Sequence, residues 1–474
     1  MPEPTLAEQL AAFAARTGRT PLPEPVAASV RQRVLDILGL CVAAVPLPTS
    51  RAALDLVAEQ GGRGQAHVVG LPEPVPAAQA AFANGVLAHS LDYDDTHLPS
   101  VLHPSAAVVP AALAAAQAGG ADGAALTAAV AVGLEVTVRL GMAGYDPALN
   151  NSVFFEHGQH ATSICGAMGG AVAAGMLLGL DERGLRDVLG VTASMAAGVI
   201  EANRTGGTVK RLHCGWAAHS AVTAADLVRR GFTGPPTVLE GRFGFFTAFL
   251  RGQADHDQVT DGLGERWAVP DIFFKPYPAN HFTHAAIDAG LALRARGVPV
   301  DRIEHIELRV PAAVIRTIGE PLATKRAPDT GYQAQFSGPY AVVAGLCGGG
   351  GLGVALGDFT DDLARDPRRR SLMARVDVVP DDECDRIFPY QFPAVVTVRT
   401  GDGRTWREDV LTNRGGPQRP LSNAELAMKF RDNVAGRIDP ETADQVVAAV
   451  LDLAGVADVG DVLRPLTRLR VGSD

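Results

Sequence analysis

Between Ala88 and Ser105 the chain places His89, Asp92, Asp94, Asp95, Thr96, His97 and His103, three carboxylates, three imidazoles and a hydroxyl within eighteen residues. Most of the surrounding sequence is apolar and rich in Ala and Gly. Burying carboxylates costs several kcal/mol unless they are paired or used, so this density points to chemistry. If the stretch is helical, Asp92 and Thr96 share one face, where a carboxylate and a hydroxyl could orient a substrate or pass a proton. The same two residues could instead cap a helix end. Asp94 and Asp95 are expected to be structural.

A metal site is the rival reading, because Asp and His at mixed spacing can ligate a divalent cation. The aspartates are similar to the acidic motif of all-helical, metal-dependent terpene-type lyases. However, no second acidic motif follows on a later helix, and aromatic residues are only 5%, short of what a carbocation pocket needs. No metal is expected.

Three further constellations stand out. His160 opens the apolar run Ala161 to Leu180, at a helix N-terminus that favours carboxylate or phosphate; His157 beside it reads as a solvent-facing cap. Lys210, Arg211 and His213 form a compact cationic patch ahead of an Ala-rich helix, and only four of the 42 basic residues are lysines. The patch is either an anion site or a solvated loop. Lys275, Tyr277, Asn280 and His281 lie at a change of texture, either lining a cleft or stiffening a linker with Pro276 and Pro278. Gly348 to Gly353 matches Gly-x-Gly-x-x-Gly but follows a helical pattern, so it reads as a helix-ending loop and not a dinucleotide site.

These residues must be positioned by a large framework. At 474 residues, 47% hydrophobic and 20% charged, the chain is globular and long enough for about two domains. A net charge of -10 argues against nucleic acid or an anionic membrane as a partner. The five separated cysteines read as reduced thiols of a cytoplasmic protein, and no secretory signal is expected. Helical periodicity predicts helices over 6–15, 25–44, 50–60, 76–91, 104–118, 123–143, 160–180 and 181–201. Period-two alternation predicts strands at 303–310, 374–379 and 394–399, then Gly401-Asp402-Gly403 as a hairpin turn before 405–410. Helices are expected between the strands at 283–297 and 339–346, and again at 422–435 and 440–453. The fold class is therefore mainly α: a large all-helical domain built from both termini, 1–268 and 406–474, with a smaller α+β domain over 269–405.

Taken in order, the motifs resemble the MmgE/PrpD family of dehydratases, decarboxylases and epimerases acting on di- and tricarboxylates. The matching residues are Asn84-Gly85, His89-x-x-Asp92-x-Asp94-Asp95-Thr96, His103-Pro104-Ser105, His160 with Cys165-Gly166, Lys210-Arg211-Leu212-His213, Leu239-Glu240-Gly241, Lys275-Pro276-Tyr277-Pro278, Phe336-Ser337 with Pro339-Tyr340, and Lys429-Phe430-Arg431. The resemblance implies a homodimer, an α+β domain acting as a lid, and a site between domains needing neither metal nor organic cofactor. It implies Asp92, Thr96, His103, His160 and Lys210 as catalytic residues, with Arg211, His213, Lys275, Tyr277, Asn280 and His281 near the substrate. His103 would move the proton, Asp92 and Thr96 would orient it or the substrate, and His160 and Lys210 would hold carboxylates. The expected activity is that of a cofactor-independent lyase removing water or CO₂ at the carbon beside a carboxylate. An epimerase using the same α-proton removal is the alternative, ahead of the terpene-type lyase and an inactive binding protein. Two departures bear on the substrate: Ala279-Asn280-His281 stands where many members carry Cys-Cys-Arg or a histidine, and the stretch from Thr96 to His103 is about one residue longer.

Overall fold

In the computed structural model, which describes residues 3–470, the helical periodicity of the first half becomes nine helices of note. They are α1 (Leu6–Thr17), α2 (Glu24–Ala44), α3 (Pro48–Gln60), α4 (Ala77–His89), α5 (Ser105–Gly119), α6 (Gly123–Ala143), α7 (Ala161–Leu177), α8 (Glu182–Ala193) and α9 (Lys210–Arg229). With Asn433–Asp474 they make one unit, Met1–Ile272, while Phe273–Asp432 makes the other.

In the first unit α7 is the central helix, packed against α5, α6, α8 and α9. Its sequence, Ala-Thr-Ser-Ile-Cys-Gly-Ala-Met-Gly-Gly, offers little side-chain bulk, so neighbouring backbones approach closely. A Cβ on Gly169 would run into the Thr137 hydroxyl and the Gly133 carbonyl of α6. Length and apolarity would let α6 cross a membrane, yet 83% of its most apolar window is buried, as in a core helix.

The α4–α9 contact follows the same rule and matters more for the site. A Cβ on Gly85 would lie 2.8 Å from the Cys214 carbonyl oxygen, and one on Gly215 would lie 2.5 Å from Val86 Cγ2 and 2.6 Å from the Phe82 carbonyl. Two helices without side chains between them bring the end of α4 against the start of α9. Helix α4 stops at His89; Ser90 Oγ returns to the Val86 carbonyl at 2.6 Å, and Asp92 takes a left-handed backbone, φ 51°.

Helix α8 ends at Ala193, earlier than the expected 201. Gly198 explains this: at φ 154° its backbone passes His160, whose N–H donates to the Gly198 carbonyl at 3.1 Å. At the other end of the chain α13 (Pro440–Leu451, numbered after the elements below) packs on α2, and the Gly123 N–H that starts α6 donates to Val456 O at 2.8 Å.

The second unit contains α10 (His284–Ala295), β1 (Ile303–Val310), α11 (Gly338–Cys347), β2 (Val376–Pro380), β3 (Ala394–Thr400), β4 (Thr405–Val410) and most of α12 (Asn423–Val434). The sheet order is β2-β1-β3-β4, with β2 parallel to β1 and the other pairs antiparallel. Ile306, Leu308, Val310, Val396 and Val398 share a core with Ile287 and Leu293 of α10 and Val342 and Val343 of α11. A register shift between Ile303 and His305 returns Ile303 to the buried face. Strand β4 pairs along β3, so the unit runs past residue 405 to Asp432, later than the expected limit.

Replacing Gly85 by Ala is expected to cost ~1–3 kcal/mol, the usual range for overpacking, because the new methyl meets helix backbone and not a movable side chain. Calorimetry should show a lower unfolding temperature; an unchanged midpoint would mean the two helices can separate freely.

Candidate active site

The titratable groups singled out in the first unit converge where α4 ends, α7 begins and α9 begins. The loop after α4 is anchored by Asp95, which takes Arg33 Nη1 at 2.6 Å, the Ser105 N–H at 3.1 Å and the Ser105 hydroxyl. Arg33, buried on α2, spends its other amino group on the carbonyls of Val269 and Ile272 at 3.2 and 2.7 Å. A tight return follows, with His97 N–H to Leu102 O at 2.8 Å, the His97 Nδ1–Ser100 Oγ contact at 2.6 Å, and Val101 at φ 53°. A β-branched residue in that region is strained, and the surrounding bonds hold it there. The 92–96 segment is thus a loop, so Asp92 and Thr96 neither share a helix face nor cap one.

His103 leaves this loop with its N–H on Thr162 Oγ1 of α7 at 3.2 Å. Its Nδ1 lies 2.7 Å from the Asp95 carbonyl, which can only accept, so Nδ1 carries a proton and the neutral ring keeps Nε2 bare. Thr96 Oγ1 is 3.4 Å from the same Nδ1. Nε2 points toward Asp92 Oδ1 at 4.0 Å, and that carboxylate pairs with Lys210 Nζ at 3.3 Å. Lys210, at the start of α9, keeps 28% of its side chain exposed, the most open of the three.

His160 stands at the N-cap of α7 but makes no capping bond; its Nδ1 meets His213 Nδ1 at 2.8 Å. One nitrogen must donate and the other accept, so the two rings hold one proton between these atoms. Ser163 Oγ fixes the His213 carbonyl at 3.1 Å. Burial, followed by the charges of His89, His213, Lys210 and His103, pushes His160 well below the ordinary histidine value. Burial, then His89 and Lys210, takes His213 down to about 4.

Local sequence reasoning passed over His89 and left Asp94 as structural. Their side chains are fully buried and paired, Nδ1 to Oδ2, at 2.8 Å. Burial works against charge on His89, but the Asp94 carboxylate, together with Cys214, outweighs it and the pKa rises to about 10. The signal was the His89-x-x-x-x-Asp94 spacing across a helix end, which has meaning only once the chain is known to turn at Asp92.

Other expected residues are placed differently. Arg211 Nη1 donates to Thr49 Oγ1 of α3 at 2.9 Å. In the second unit, Tyr277 is buried with its hydroxyl on Asp288 at 2.5 Å and Arg414 at 3.1 Å. Asn280 Oδ1 accepts from the Phe282 N–H at 3.1 Å, capping a short turn. His281 is buried edge-on to Phe392 and 4.6 Å, ring to ring, from His284; Lys275 is buried nearby in sequence.

Asp92, Asp94 and His103 bring possible ligand atoms within 4.8 Å of one another. Both carboxylates already face cations, Lys210 and His89. A divalent ion would have to displace an ammonium and an imidazolium, so the charge pattern suits an anionic substrate better than a metal.

A helical unit with a carboxylate–lysine pair beside a cluster of histidines belongs to a class that comparison identifies. The MmgE/PrpD N-terminal domain model matches residues 8–258 and the C-terminal domain model residues 277–453. The chain belongs to the MmgE/PrpD family. Cis-aconitate decarboxylase of Mus musculus is 30% identical over 408 residues, covering 83% of this chain and 79% of that protein; the Homo sapiens counterpart is 31% identical, covering 81% and 78%. 2-Methylcitrate dehydratase of Cupriavidus necator is 28% identical over 254 residues, covering 51% and 50%.

The imidazoles also set a pH dependence of stability. Burial holds His97 and His213 near 4 against an ordinary 6.5, so their contribution is present above 6.5 and is lost as pH falls toward 4. His89 acts oppositely: its contribution is full below 6.5 and is lost as pH rises toward about 10. The urea midpoint of unfolding should therefore peak near neutrality and decline on both sides; a midpoint climbing steadily from acid to alkaline pH would contradict the charged His89–Asp94 pair.

Proposed function

We propose that this protein is a lyase that removes CO₂ from a tricarboxylate of the cis-aconitate type, by proton transfer at the carbon beside a carboxylate. The observation that carries this reading is His103, whose Nδ1 is committed to a backbone carbonyl while Nε2 faces the Asp92–Lys210 pair. The names of the relatives support the substrate class. When the bond to the departing carboxylate breaks, its electron pair passes to the carbon and delocalises toward a neighbouring carboxylate. Lys210 stabilises that enolate-like charge, and His103, entering the step as an imidazolium protonated at both nitrogens, delivers its Nε2 proton to the carbon and regains one from water. Asp92 holds the Lys210 ammonium and the protonated His103 in place, and neutral His160 donates a hydrogen bond to a substrate carboxylate. Arg211 is assigned to the scaffold.

Dehydration is the second reading, favoured by the likeness to 2-methylcitrate dehydratase. There His103 Nε2 would take the α-proton as hydroxide leaves with a proton from an acid on the other face. An epimerase would run the same first step and return the proton to the opposite side. We also propose that the protein is a homodimer working without metal.

Incubation with cis-aconitate should release CO₂, and His103→Asn should lower kcat by about 10²–10⁴, the usual worth of a positioned acid or base. Lys210→Ala should raise KM and lower kcat together. Loss of water from 2-methylcitrate without decarboxylation would select the second reading; solvent deuterium entering a recovered substrate, with neither loss, would select epimerisation. Inertness toward all these acids would sink the lyase reading, as would activity abolished by EDTA and restored by Mg²⁺ for the metal-free one. Light scattering on the eluted peak checks the dimer.

A further inference from the structure

Rings of His103, His89, His160 and His213 stand in a row, at centroid separations of 5.2, 6.0 and 4.8 Å. His89 occupies an inner place, and it is the member that substrate cannot reach: its side chain and that of Asp94 have no exposed surface. We propose that His89, clamped by Asp94, is a positioning residue, a fixed imidazolium that sets the proton state of His103 and His160 without touching substrate. Its kinetic consequence rests on the lyase reading above; its charge state does not.

Asp94 is the reason such a charge is needed. Its Oδ2 lies 3.9 Å from His103 Nδ1 as well as 2.8 Å from His89 Nδ1. A bare carboxylate buried there would hold a proton on His103 and stop it from cycling. An imidazolium on Asp94 cancels that pull. On its other side, His89 Nε2 has no nitrogen or oxygen partner and faces the Cys214 thiol, which burial keeps protonated. Both ring protons thus have a place, one on Oδ2 and one directed at sulfur. The other charged or titratable groups around the row are Lys210 and His213 of α9, His160 of α7, Asp92 of the loop, paired with Lys210, and Asp95, paired with Arg33. The Asp94 contact raises the pKa of His89, in keeping with the geometry.

Two measurements test it. Nitrogen NMR of ¹⁵N-histidine-labelled protein, with His89 assigned by its disappearance in His89→Gln, should show one ring doubly protonated from pH 6 to 9. A His89 that loses its proton between pH 6 and 7 overturns the proposal, whatever the substrate proves to be. In the kinetic arm, Gln can still donate an N–H to Asp94 but carries no charge. His89→Gln should move the limb of the pH–kcat/KM profile that reports His103 upward by about two pH units, as expected for a charge at this distance in an effective dielectric near 20. KM for cis-aconitate should change little. A profile that stays in place, with Gln restoring full activity, would mean that His89 serves only as a hydrogen-bonding strut. If the variant does not fold, a ¹⁵N assignment through scalar couplings in the parent decides the question. A parent inert toward cis-aconitate defeats the lyase reading while leaving the NMR result intact.

Discussion

The contact at Gly85 and Gly215 is the constraint on which the site depends. With no Cβ on either residue, α4 and α9 meet backbone to backbone. His89 follows Gly85 by one helical turn, and Cys214, His213 and Lys210 lie within the turn and a half before Gly215, so groups more than a hundred residues apart in sequence become neighbours. Any side chain wide enough to hold the helices at ordinary spacing would open a gap between these two ends.

Around that contact the charges are arranged so that none is isolated. Arg33 neutralises Asp95 and ties the loop to two carbonyls; His89 neutralises Asp94; Lys210 meets Asp92. Breaking a buried pair typically costs 3–5 kcal/mol, because the remaining charge has no solvent to turn to. The same pairs therefore hold the loop in place and fix the direction of His103. Two left-handed backbones, at Asp92 and Val101, are tolerated inside this frame.

Much of this was legible in the sequence. Helix and strand periods pointed to nearly all the main elements because α2 and α6 are long apolar runs buried on almost every side and bounded by Pro or Gly, too long for strands. His103, His160, Lys210, His213 and Asp92 were marked by being titratable groups in apolar surroundings, and the structure brings them together. What local spacing could not supply were partners from distant elements. Asp92 and Thr96 fit a helix face until the chain turned at Asp92, and nothing local to Arg211 foretold that one of its amino groups reaches the Thr49 hydroxyl of α3. Tyr277 bonds Asp288 and Arg414, and Asn280 Oδ1 takes the Phe282 N–H, within the second unit. His89 and Asp94 could be joined only after the end of α4 was known.

The return of residues 433–470 to the first unit has a consequence for biosynthesis. Helix α13 covers part of α2, and the backbone at Val456 receives the first N–H of α6. Helices α2 and α6 are made early, and α13 and Val456 only after the whole second unit has been synthesised. A ribosome adding roughly 5–20 residues per second must therefore leave one face of the helical unit uncovered for tens of seconds. During that interval the nascent chain displays apolar surface that the finished protein hides, and this is the window in which a chaperone would have the most to bind.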